Sequence, residues 1–269
     1  MTHGKIPDPV GPAFGANPSF VDLLRASRPE AMPPAPDRSA GLASPPLPHG
    51  TTVLGLKYAD GMLMAGDRRA TAGNLIADAK MRKVFSADDY SAIAIAGAAG
   101  QAVEIVKLFQ LELEHYEKIT GDRLSLEGKA NRLAQMIRGN FPAAMQGLVV
   151  VPLFGGYDER RSEGRIFYYD ATGGRWEEDD FQTTGSGGMP AKNSLKKRWR
   201  PGLSRDEAVR VAVEALVDAA EDDSATGGPD LARGIYPVVV AVTASGAEDV
   251  PESEVSAAAA AVLQDRERR

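Results

Sequence analysis

The feature that most constrains the fold is an abrupt change of composition between Gly50 and Thr51. Residues 1–50 contain 11 of the 18 prolines of the chain, and proline is excluded from helix interiors and from central strands. From Thr51 the sequence becomes TTVLGLKY, which is β-branched and apolar. The sequence therefore predicts that the folded domain begins at residue 51. Residues 1–50 are expected to be disordered or extended, with one short apolar island, SFVDLLRAS.

After Thr51, apolar β-branched runs separated by turns predict strands in two blocks. The runs are TTVLGLKY, GMLMAGDRR, YSAIAIAGAAG, GLVVVPLFGGY, GRIFYYDA, RWEEDDFQTTG and, as a last buried strand, YPVVVAVTASG. Because tight turns such as Asp60-Gly61 connect antiparallel neighbours, we expect much of the sheet to be antiparallel.

Helical periodicity occurs between and after these strands. Two helices are predicted over Gln101–Ile119 and Ser125–Phe141, and a third, LSRDEAVRVAVEALVDAAEDD, starts with Ser204 and Glu207 at the spacing of a capping box. The Ala-rich tail Pro251–Arg269 is predicted to be a peripheral helix. The economical architecture is an α+β fold, a four-layer αββα sandwich of two stacked antiparallel sheets with helices outside.

Composition restricts the chemistry and the partners. The net charge is −6, so no polybasic face indicates nucleic acid or an anionic membrane. There is no cysteine, which excludes disulfides, thiolate metal sites and a cysteine nucleophile. The chain has no signal-peptide core and no apolar run of about 18 residues, so we expect a cytoplasmic protein that does not bind a membrane. No HExxH, P-loop or GxGxxG signature is present, so we expect no metal and no cofactor.

Histidine is scarce. The chain contains only His3, His49 and His115, and the first two precede Thr51. A Ser-His-Asp triad would need His115, which lies in the charged helical pattern LELEHYEKI and is expected to be a helix-surface residue. A hydrolase built from this chain therefore needs a base other than histidine.

Cleavage between Gly50 and Thr51 would supply such a base. Thr51 would then carry both a hydroxyl and a free α-amine, whose pKa is about 8 and which can accept the hydroxyl proton at neutral pH. A threonine at the N-terminus is a known nucleophile–base arrangement. Gly50 fits the cleavage, because without a Cβ the chain can turn tightly enough for the Thr51 hydroxyl to reach the Gly50 carbonyl.

Such a site also needs a cation, an anion that holds it, and N–H donors for the oxyanion. The candidates are Lys83 in DAKMRKVF, Asp67 in AGDRRATAG and Gly97 in AIAGAAG. Taken alone, each has an alternative interpretation, because a Lys or Asp at a strand end is usually solvated and Gly97 could simply form a turn. Ser186 in TTGSGG and the cluster Asp222–Gly228 are polar, glycine-rich loops.

Five motifs in order resemble proteasome β subunits, and most closely the actinobacterial type with a long N-terminal prosegment. They are HGTTVLGLKYADGMLMAGDRRATAG, MRKVF, AIAGAAG, TTGSGG and DDSATGGPDLARGIYPVVV. The resemblance covers residues 49–245, with an Asp 16 residues and a Lys 32 residues after the threonine. It implies the N-terminal-nucleophile hydrolase fold and a threonine endopeptidase.

The resemblance implies a role for each matching position. Thr51 is the nucleophile and, through its amine, the base. Lys83 is the cation beside it, Asp67 is the salt-bridge partner of Lys83, and Gly97 supplies the oxyanion N–H. Three further residues form the hydrogen-bond network around the amine, the last at a position where the family usually has serine: Ser186, Asp223 and Thr226.

The resemblance also implies how substrate is bound. Thr71 and Gly97 should pair with the substrate backbone as with an added strand. Four uncharged residues fall where the family lines its specificity pocket: Ala70, Met81, Ile95 and Ala99. A pocket lined by these residues would favour large apolar side chains before the scissile bond.

For the whole chain, the resemblance implies a prosegment of residues 1–50 removed by self-cleavage at Gly50-Thr51, and a catalytic domain of residues 51–269. Within it, residues 51–245 are the core and residues 246–269 a C-terminal extension. Fourteen β subunits would form two heptameric rings between two rings of seven α subunits, fourteen α subunits in all. A ring-shaped ATPase would feed unfolded proteins tagged with a prokaryotic ubiquitin-like protein.

Two alternatives remain open at this point. One is another N-terminal-nucleophile hydrolase, such as the subunit of the related two-ring bacterial protease, although that protein has a very short prosegment and a shorter mature chain. The other is a non-catalytic structural ring subunit. Subunits of that kind usually lack the threonine or the lysine, whereas Thr51, Asp67 and Lys83 are all present here.

Overall fold

The structure, a computed structural model, describes residues 50–268. The predicted prosegment, apart from Gly50, lies outside the described residues. Within them the strands are β1 Thr52–Tyr58, β2 Gly61–Gly66, β3 Ala70–Ala72, β4 Leu75–Asp78, β5 Val84–Asp88, β6 Ser91–Ala94, β7 Leu153–Asp158, β8 Glu163–Tyr169, β9 Arg175–Glu178, β10 Phe181–Gly185, β11 Val238–Thr243 and β12 Gly246–Asp249. The helices are α1 Ala99–Thr120, α2 Leu126–Gly139, α3 Phe141–Ala144, α4 Gly188–Arg198, α5 Arg205–Asp222 and α6 Glu252–Glu267.

Ten of the strands form two five-stranded antiparallel sheets. The first sheet has the order β10-β1-β2-β11-β12, and the second has the order β5-β6-β7-β8-β9. Strands β3 and β4 make a separate hairpin. The chain completes β1 and β2, enters the second sheet, and returns to the first sheet at β10.

Alternation along the strands produces the layers, because successive side chains in a strand point to opposite faces. In β1, Val53 packs into an apolar cluster that joins the two sheets, whereas Leu54 packs into a cluster with α4, α5 and α6. In the second sheet, Ala92 belongs to the cluster between the sheets and Ile93 belongs to a cluster with α1 and α2. The order of layers is helices, sheet, sheet, helices, which confirms the predicted αββα sandwich.

The predicted helices are present, and the capping box is confirmed. The Ser204 side chain accepts from the Glu207 N–H, and the Glu207 carboxylate accepts from the Ser204 N–H. The tail forms α6, whose buried residues Val255 and Ala259 pack in the cluster of α5. His115 is exposed on α1, as expected.

Several predictions about elements were incomplete or wrong, and strands β3, β4 and β5 were not predicted at all. The run RWEEDDFQTTG is not one strand, because β9 ends the second sheet and β10 pairs with β1 in the first. Helix α4 was not predicted, because it begins with Gly188 and contains Pro190 in its first turn. Strand β11 is the last buried strand, as predicted, but a short and partly exposed strand that was not predicted, β12, follows it and pairs with it.

Candidate active site

The topology places three of the predicted site residues at one edge of the first sheet. Thr51 immediately precedes β1, Asp67 immediately follows β2, and Ser186 immediately follows β10. Because β1 is antiparallel to both β2 and β10, its start lies beside their ends. The backbone confirms this arrangement, since the Asp67 N–H donates to the Thr52 carbonyl at 3.1 Å.

Lys83 and Gly97 reach the same region from the second sheet. Lys83 precedes β5 and Gly97 follows β6. These two strands are antiparallel neighbours, and the Ile95 N–H donates to the Lys83 carbonyl at 2.9 Å. The start of β5 and the end of β6 therefore lie together, with the Lys83 side chain directed to Asp67.

Asp67 and Lys83 form a buried ion pair. The Lys83 Nζ lies 2.6 Å from Asp67 Oδ1, and both residues are 1% exposed. Asp67 accepts three further hydrogen bonds from backbone N–H groups, from Thr52 to Oδ1 at 2.8 Å and from Arg69 and Gly227 to Oδ2 at 2.9 Å each. A carboxylate with this many donors holds the ammonium in a fixed place. The solvated-surface interpretation of both residues is therefore wrong.

Lys83 uses its other donors on the backbone around the nucleophile. Its Nζ donates to the Arg69 carbonyl at 2.6 Å and to the Gly50 carbonyl at 3.2 Å. Burial lowers the pKa of Lys83 below its usual value, and the attraction of Asp67 opposes that shift. The result is an ammonium that gives up a proton more readily than a surface lysine does.

Thr51 lies between this ion pair and Ser186. It is 6% exposed, and its nitrogen belongs to the intact peptide bond with Gly50. Its Oγ1 donates to the Gly50 carbonyl oxygen at 2.6 Å, and its N–H points to Ser186 Oγ at 3.4 Å. The hydroxyl is thus held against the bond that the sequence predicts to be cut.

The space around the Gly50-Thr51 bond admits only glycine at residue 50. A Cβ on Gly50 would lie 2.6 Å from the Ala225 carbonyl oxygen and 2.6 Å from Thr71 Oγ1. Real Cβ atoms do not approach other atoms this closely, so a larger residue would displace the carbonyl that Thr51 and Lys83 both contact.

Asp223 organises the hydroxyls on the other side of Thr51. Its Oδ2 accepts from Ser186 Oγ and from Thr226 Oγ1, each at 2.6 Å, and its Oδ1 accepts from the Ala225 N–H at 3.1 Å. Burial acts to raise the pKa of Asp223, but these hydrogen bonds and the charge of Lys83 outweigh it, so the pKa is lowered. Because an ionised carboxylate only accepts, the Ser186 proton points to Asp223 and the Ser186 oxygen is free to accept from Thr51.

Gly97 has a positive φ, a backbone conformation that favours glycine. Its φ is +111°, and a Cβ there would lie 2.1 Å from the Val149 carbonyl oxygen. Gly97 forms an isolated bridge with Val150 whose hydrogen bonds use the N–H groups of Ala98 and Val151. The bridge therefore does not use the Gly97 N–H, which is compatible with its predicted role as an oxyanion donor.

The predicted substrate-binding residues lie on segments that flank Lys83. Ala70 and Thr71 are buried on β3. Ile95 is buried in the cluster beneath α1, whereas Met81 and Ala99 are partly exposed. Their assignment to one specificity pocket stays a prediction.

A cavity of about 640 Å³ lies at turns of both sheets around Tyr58, Gly61 and Ser162, and none of the predicted site residues lines it. A cleft of about 410 Å³ does include Ser186, along β10 and the start of α4. Among residues 50–268, no three histidine, aspartate or glutamate side chains are grouped as metal ligands. In the same part of the chain, no helix has the length and apolar character needed to span a bilayer.

The structure also adds residues that the sequence did not indicate. Thr52 donates its N–H to Asp67 and pairs its hydroxyl with Thr226 at 2.6 Å. The N–H groups of Arg69 and Gly227 complete the environment of Asp67. Only the Thr-Thr doublet was visible in the sequence, because backbone donors and close approaches leave no residue-type pattern.

Comparison with known proteins is consistent with these assignments. The family model described as Proteasome subunit matches residues 47–230, a range that contains every predicted site residue. The proteasome subunit beta of Streptomyces griseus subsp. griseus is 53% identical over 254 residues, which is 92% of this chain and 88% of that protein.

Proposed function

Because the chain belongs to the proteasome family as a β subunit of the actinobacterial type, we propose that it is a threonine endopeptidase that activates itself by cutting between Gly50 and Thr51. One observation carries the proposal. The Thr51 hydroxyl contacts the Gly50 carbonyl at 2.6 Å, while a buried Lys83–Asp67 pair and the Ser186–Asp223 pair lie on either side of it.

Self-cleavage is the first step of the proposed chemistry. Thr51 Oγ attacks the Gly50 carbonyl carbon, the C–N bond breaks, and the Thr51 nitrogen takes up the hydroxyl proton to become an amine. Residues 1–50 are then joined to Thr51 Oγ as an ester. Water hydrolyses this ester, which releases the prosegment as a carboxylate and restores the hydroxyl. Lys83, whose Nζ donates to the Gly50 oxygen, stabilises the negative charge that develops there.

Peptide hydrolysis then uses the same atoms. The free Thr51 amine accepts the proton of the Thr51 hydroxyl, and the oxygen attacks the substrate carbonyl to form an acyl ester. The proton passes to the leaving amine, and water hydrolyses the ester. Lys83 favours the neutral amine by its charge, and Ser186 accepts a hydrogen bond from the amine. The Gly97 N–H is proposed to bind the oxyanion, as the family resemblance implies.

The proposal includes the assembly and its setting. A proteasome β subunit assembles with α subunits and further β subunits, and α1 offers a surface for such contacts. Its residues Leu108, Leu111 and Ile119 are 49%, 61% and 69% exposed, and exposed apolar side chains grouped in this way are typical of interaction surfaces. We further propose a cytoplasmic barrel of stacked heptameric rings, fed by a ring ATPase with proteins tagged by a prokaryotic ubiquitin-like protein.

The geometry supports catalysis better than a purely structural role. A buried ion pair costs desolvation free energy and stabilises a fold poorly compared with apolar residues. The Lys83–Asp67 pair, whose ammonium contacts the same Gly50 carbonyl as the Thr51 hydroxyl, is therefore better explained by chemistry. The 53% identity to a proteasome subunit beta over 92% of the chain also favours this function over that of another N-terminal-nucleophile hydrolase.

The experiment replaces the nucleophile. We expect Thr51→Ala to keep residues 1–50 and to have no peptidase activity, because one hydroxyl performs both reactions. Thr51→Ser keeps the hydroxyl and is the matched control. Intact mass and cleavage of fluorogenic peptides measure the two reactions separately. Trimming of purified Thr51→Ala at residue 50 would exclude self-cleavage, and wild-type peptidase activity in that variant would exclude this active site.

A further inference from the structure

The residue after the nucleophile is part of the same hydrogen-bond system. Resting on the proposed function, we propose that the Thr52 hydroxyl is a positioning group that fixes Thr51 for catalysis. Thr52 is the first residue of β1, is covalently attached to Thr51, and is fully buried. It is also hydrogen-bonded to both sides of the site.

On one side, Thr52 is tied to the ion pair. Its N–H donates to Asp67 Oδ1 at 2.8 Å, the same oxygen that binds Lys83 Nζ at 2.6 Å. Its carbonyl accepts from the Asp67 N–H at 3.1 Å. The backbone of Thr52 therefore moves with Asp67 and Lys83.

On the other side, Thr52 is tied to Asp223 through a second buried hydroxyl. Thr52 Oγ1 and Thr226 Oγ1 are 2.6 Å apart, and Thr226 Oγ1 lies 2.6 Å from Asp223 Oδ2. Both threonines are fully buried. The side chain of Thr52 therefore moves with the group that also holds Ser186.

The direction of each hydrogen bond follows from the charge on Asp223. A carboxylate can only accept, so Thr226 donates its single proton to Asp223. The Thr226 oxygen must then accept, and Thr52 is the donor. The chain runs from Thr52 to Thr226 to Asp223, and such chains polarise one another and become stronger than separate bonds.

The backbone of Gly187 lies close to the Thr52 and Thr226 hydroxyls. A Cβ on Gly187 would lie 2.3 Å from Thr52 Oγ1 and 2.6 Å from Thr226 Oγ1. A side chain at residue 187 would therefore displace both hydroxyls, so glycine at this position is a condition for the Thr52–Thr226 hydrogen bond.

A buried threonine could instead serve packing alone, and the two roles differ in their consequences. Packing needs the volume of the side chain, which valine supplies and serine does not. Positioning needs the hydroxyl, which serine supplies and valine does not. The pair Thr52→Val and Thr52→Ser therefore separates them.

The experiment compares kcat and KM of assembled, processed enzyme for wild type, Thr52→Val and Thr52→Ser on one fluorogenic peptide. Losing a buried hydrogen bond and leaving Thr226 without its donor should lower kcat about tenfold in Thr52→Val, with KM within about twofold. Thr52→Ser should retain at least about a third of the wild-type kcat. The matched control is Thr183→Val, which removes the half-buried hydroxyl that donates to the Gly188 carbonyl and should leave kcat unchanged.

A double substitution tests whether the two hydroxyls act as one chain. Thr226→Val alone removes a donor to Asp223, so the Thr52→Val/Thr226→Val double variant should lose little more kcat than Thr226→Val does. Should Thr52→Val fail to assemble, Thr52→Ala compared with Thr52→Ser gives the same contrast between hydroxyl and no hydroxyl.

The inference is overturned if Thr52→Val keeps the kcat of wild type, if Thr52→Ser loses as much kcat as Thr52→Val, or if the two single losses are additive. It can be told apart from failure of the proposed function. Inactive wild-type enzyme would refute the proposed function, whereas active wild type together with fully active Thr52→Val would refute only the role of Thr52.

Discussion

At the residue scale, the site depends on a buried lysine whose ammonium has a hydrogen-bond acceptor for each of its three protons. Lys83 donates to one carboxylate and two carbonyls, all within 3.2 Å. This set of acceptors suits a compact ammonium with three donors, and a planar guanidinium could not reproduce it. Lys83 and Asp67 could be predicted from the sequence because their spacing from Thr51 resembles a known family.

Removal of Lys83 should abolish most activity. We expect Lys83→Ala to lower the rates of self-cleavage and of peptide hydrolysis by about 10²–10³, the usual effect of losing one electrostatic contact in an active site. Lys83→Arg should not restore either rate. Lys80→Ala, which removes an exposed lysine three residues earlier, is the control. An Arg variant within a few-fold of wild type would contradict the geometry described for Nζ.

Gly50 should matter for processing and not for the mature enzyme. Because a Cβ would meet the Ala225 oxygen and Thr71 Oγ1, we expect Gly50→Ala to move the scissile carbonyl and slow self-cleavage at least about tenfold. Intact mass against time measures the rate. Chains that are eventually cut should have wild-type peptidase activity, since residue 50 has left. Gly139→Ala, where a Cβ meets nothing within 4 Å, should process normally.

At the element scale, a helix could be predicted well where the sequence shows both an apolar residue every three or four positions and a residue pattern that marks the start of the helix. Helix α5 has an apolar face and a capping box, and both were visible in the sequence. Helix α4 buries only four residues and starts with glycine, so tertiary contacts with α5 and β10 determine it more than its own sequence does. The boundary between β9 and β10 is set by which sheet each strand joins, and that information lies in residues far away in the chain.

The capping box of α5 gives a prediction for stability. We expect Ser204→Ala to lower the thermal midpoint by about 2–4 °C, because the Glu207 N–H loses its side-chain acceptor at the start of a largely buried helix. Peptidase activity at 25 °C should not change. Ser253→Ala, at an exposed position on α6, should shift the midpoint by less than about 1 °C. An equal shift in both variants would mean that the cap contributes nothing specific.

At the scale of the whole molecule, the fold brings its site together from both sheets. Thr51, Asp67 and Ser186 come from strand ends of the first sheet, and Lys83 and Gly97 come from strand ends of the second. The layer order could be predicted from the tight turns between strands and from the order of strands and helices, whereas the hydrogen bonds of Thr52 depend on how closely the layers pack. Activity therefore requires the folded sandwich. Ion pairs within the sandwich determine the pH range in which the folded state is stable.

The second sheet is joined to α2 around one buried arginine. Arg165 on β8 is 3% exposed and forms ion pairs with Asp158 on β7, Glu177 on β9 and Glu127 on α2. Burial acts to raise the pKa of Asp158 and of Glu127, but the hydrogen bonds and charge of Arg165 outweigh it, together with Arg175 at Glu127 and the backbone N–H groups of residues 160 and 161 at Asp158, so the pKa of each is lowered. The pKa of Glu177 is lowered chiefly by its hydrogen bond with Arg165. Carboxylates with a lowered pKa stabilise the folded state above their unfolded pKa and lose that contribution as the pH falls through the folded pKa.

Arg165→Met should therefore destabilise the protein in a pH-dependent way. At pH 7 we expect a loss of about 2 kcal/mol in the free energy of unfolding in urea, less than for a fully buried pair because water screens the partly exposed carboxylates. The difference from wild type should shrink between about pH 5 and pH 3, where the wild type loses the same ion pairs. Arg210→Met, which breaks a half-exposed pair with Asp265, should cost no more than about 0.5 kcal/mol at any pH. A difference between Arg165→Met and wild type that stays constant down to pH 3 would show that Arg165 stabilises the sheet by packing its side chain and not by its charge.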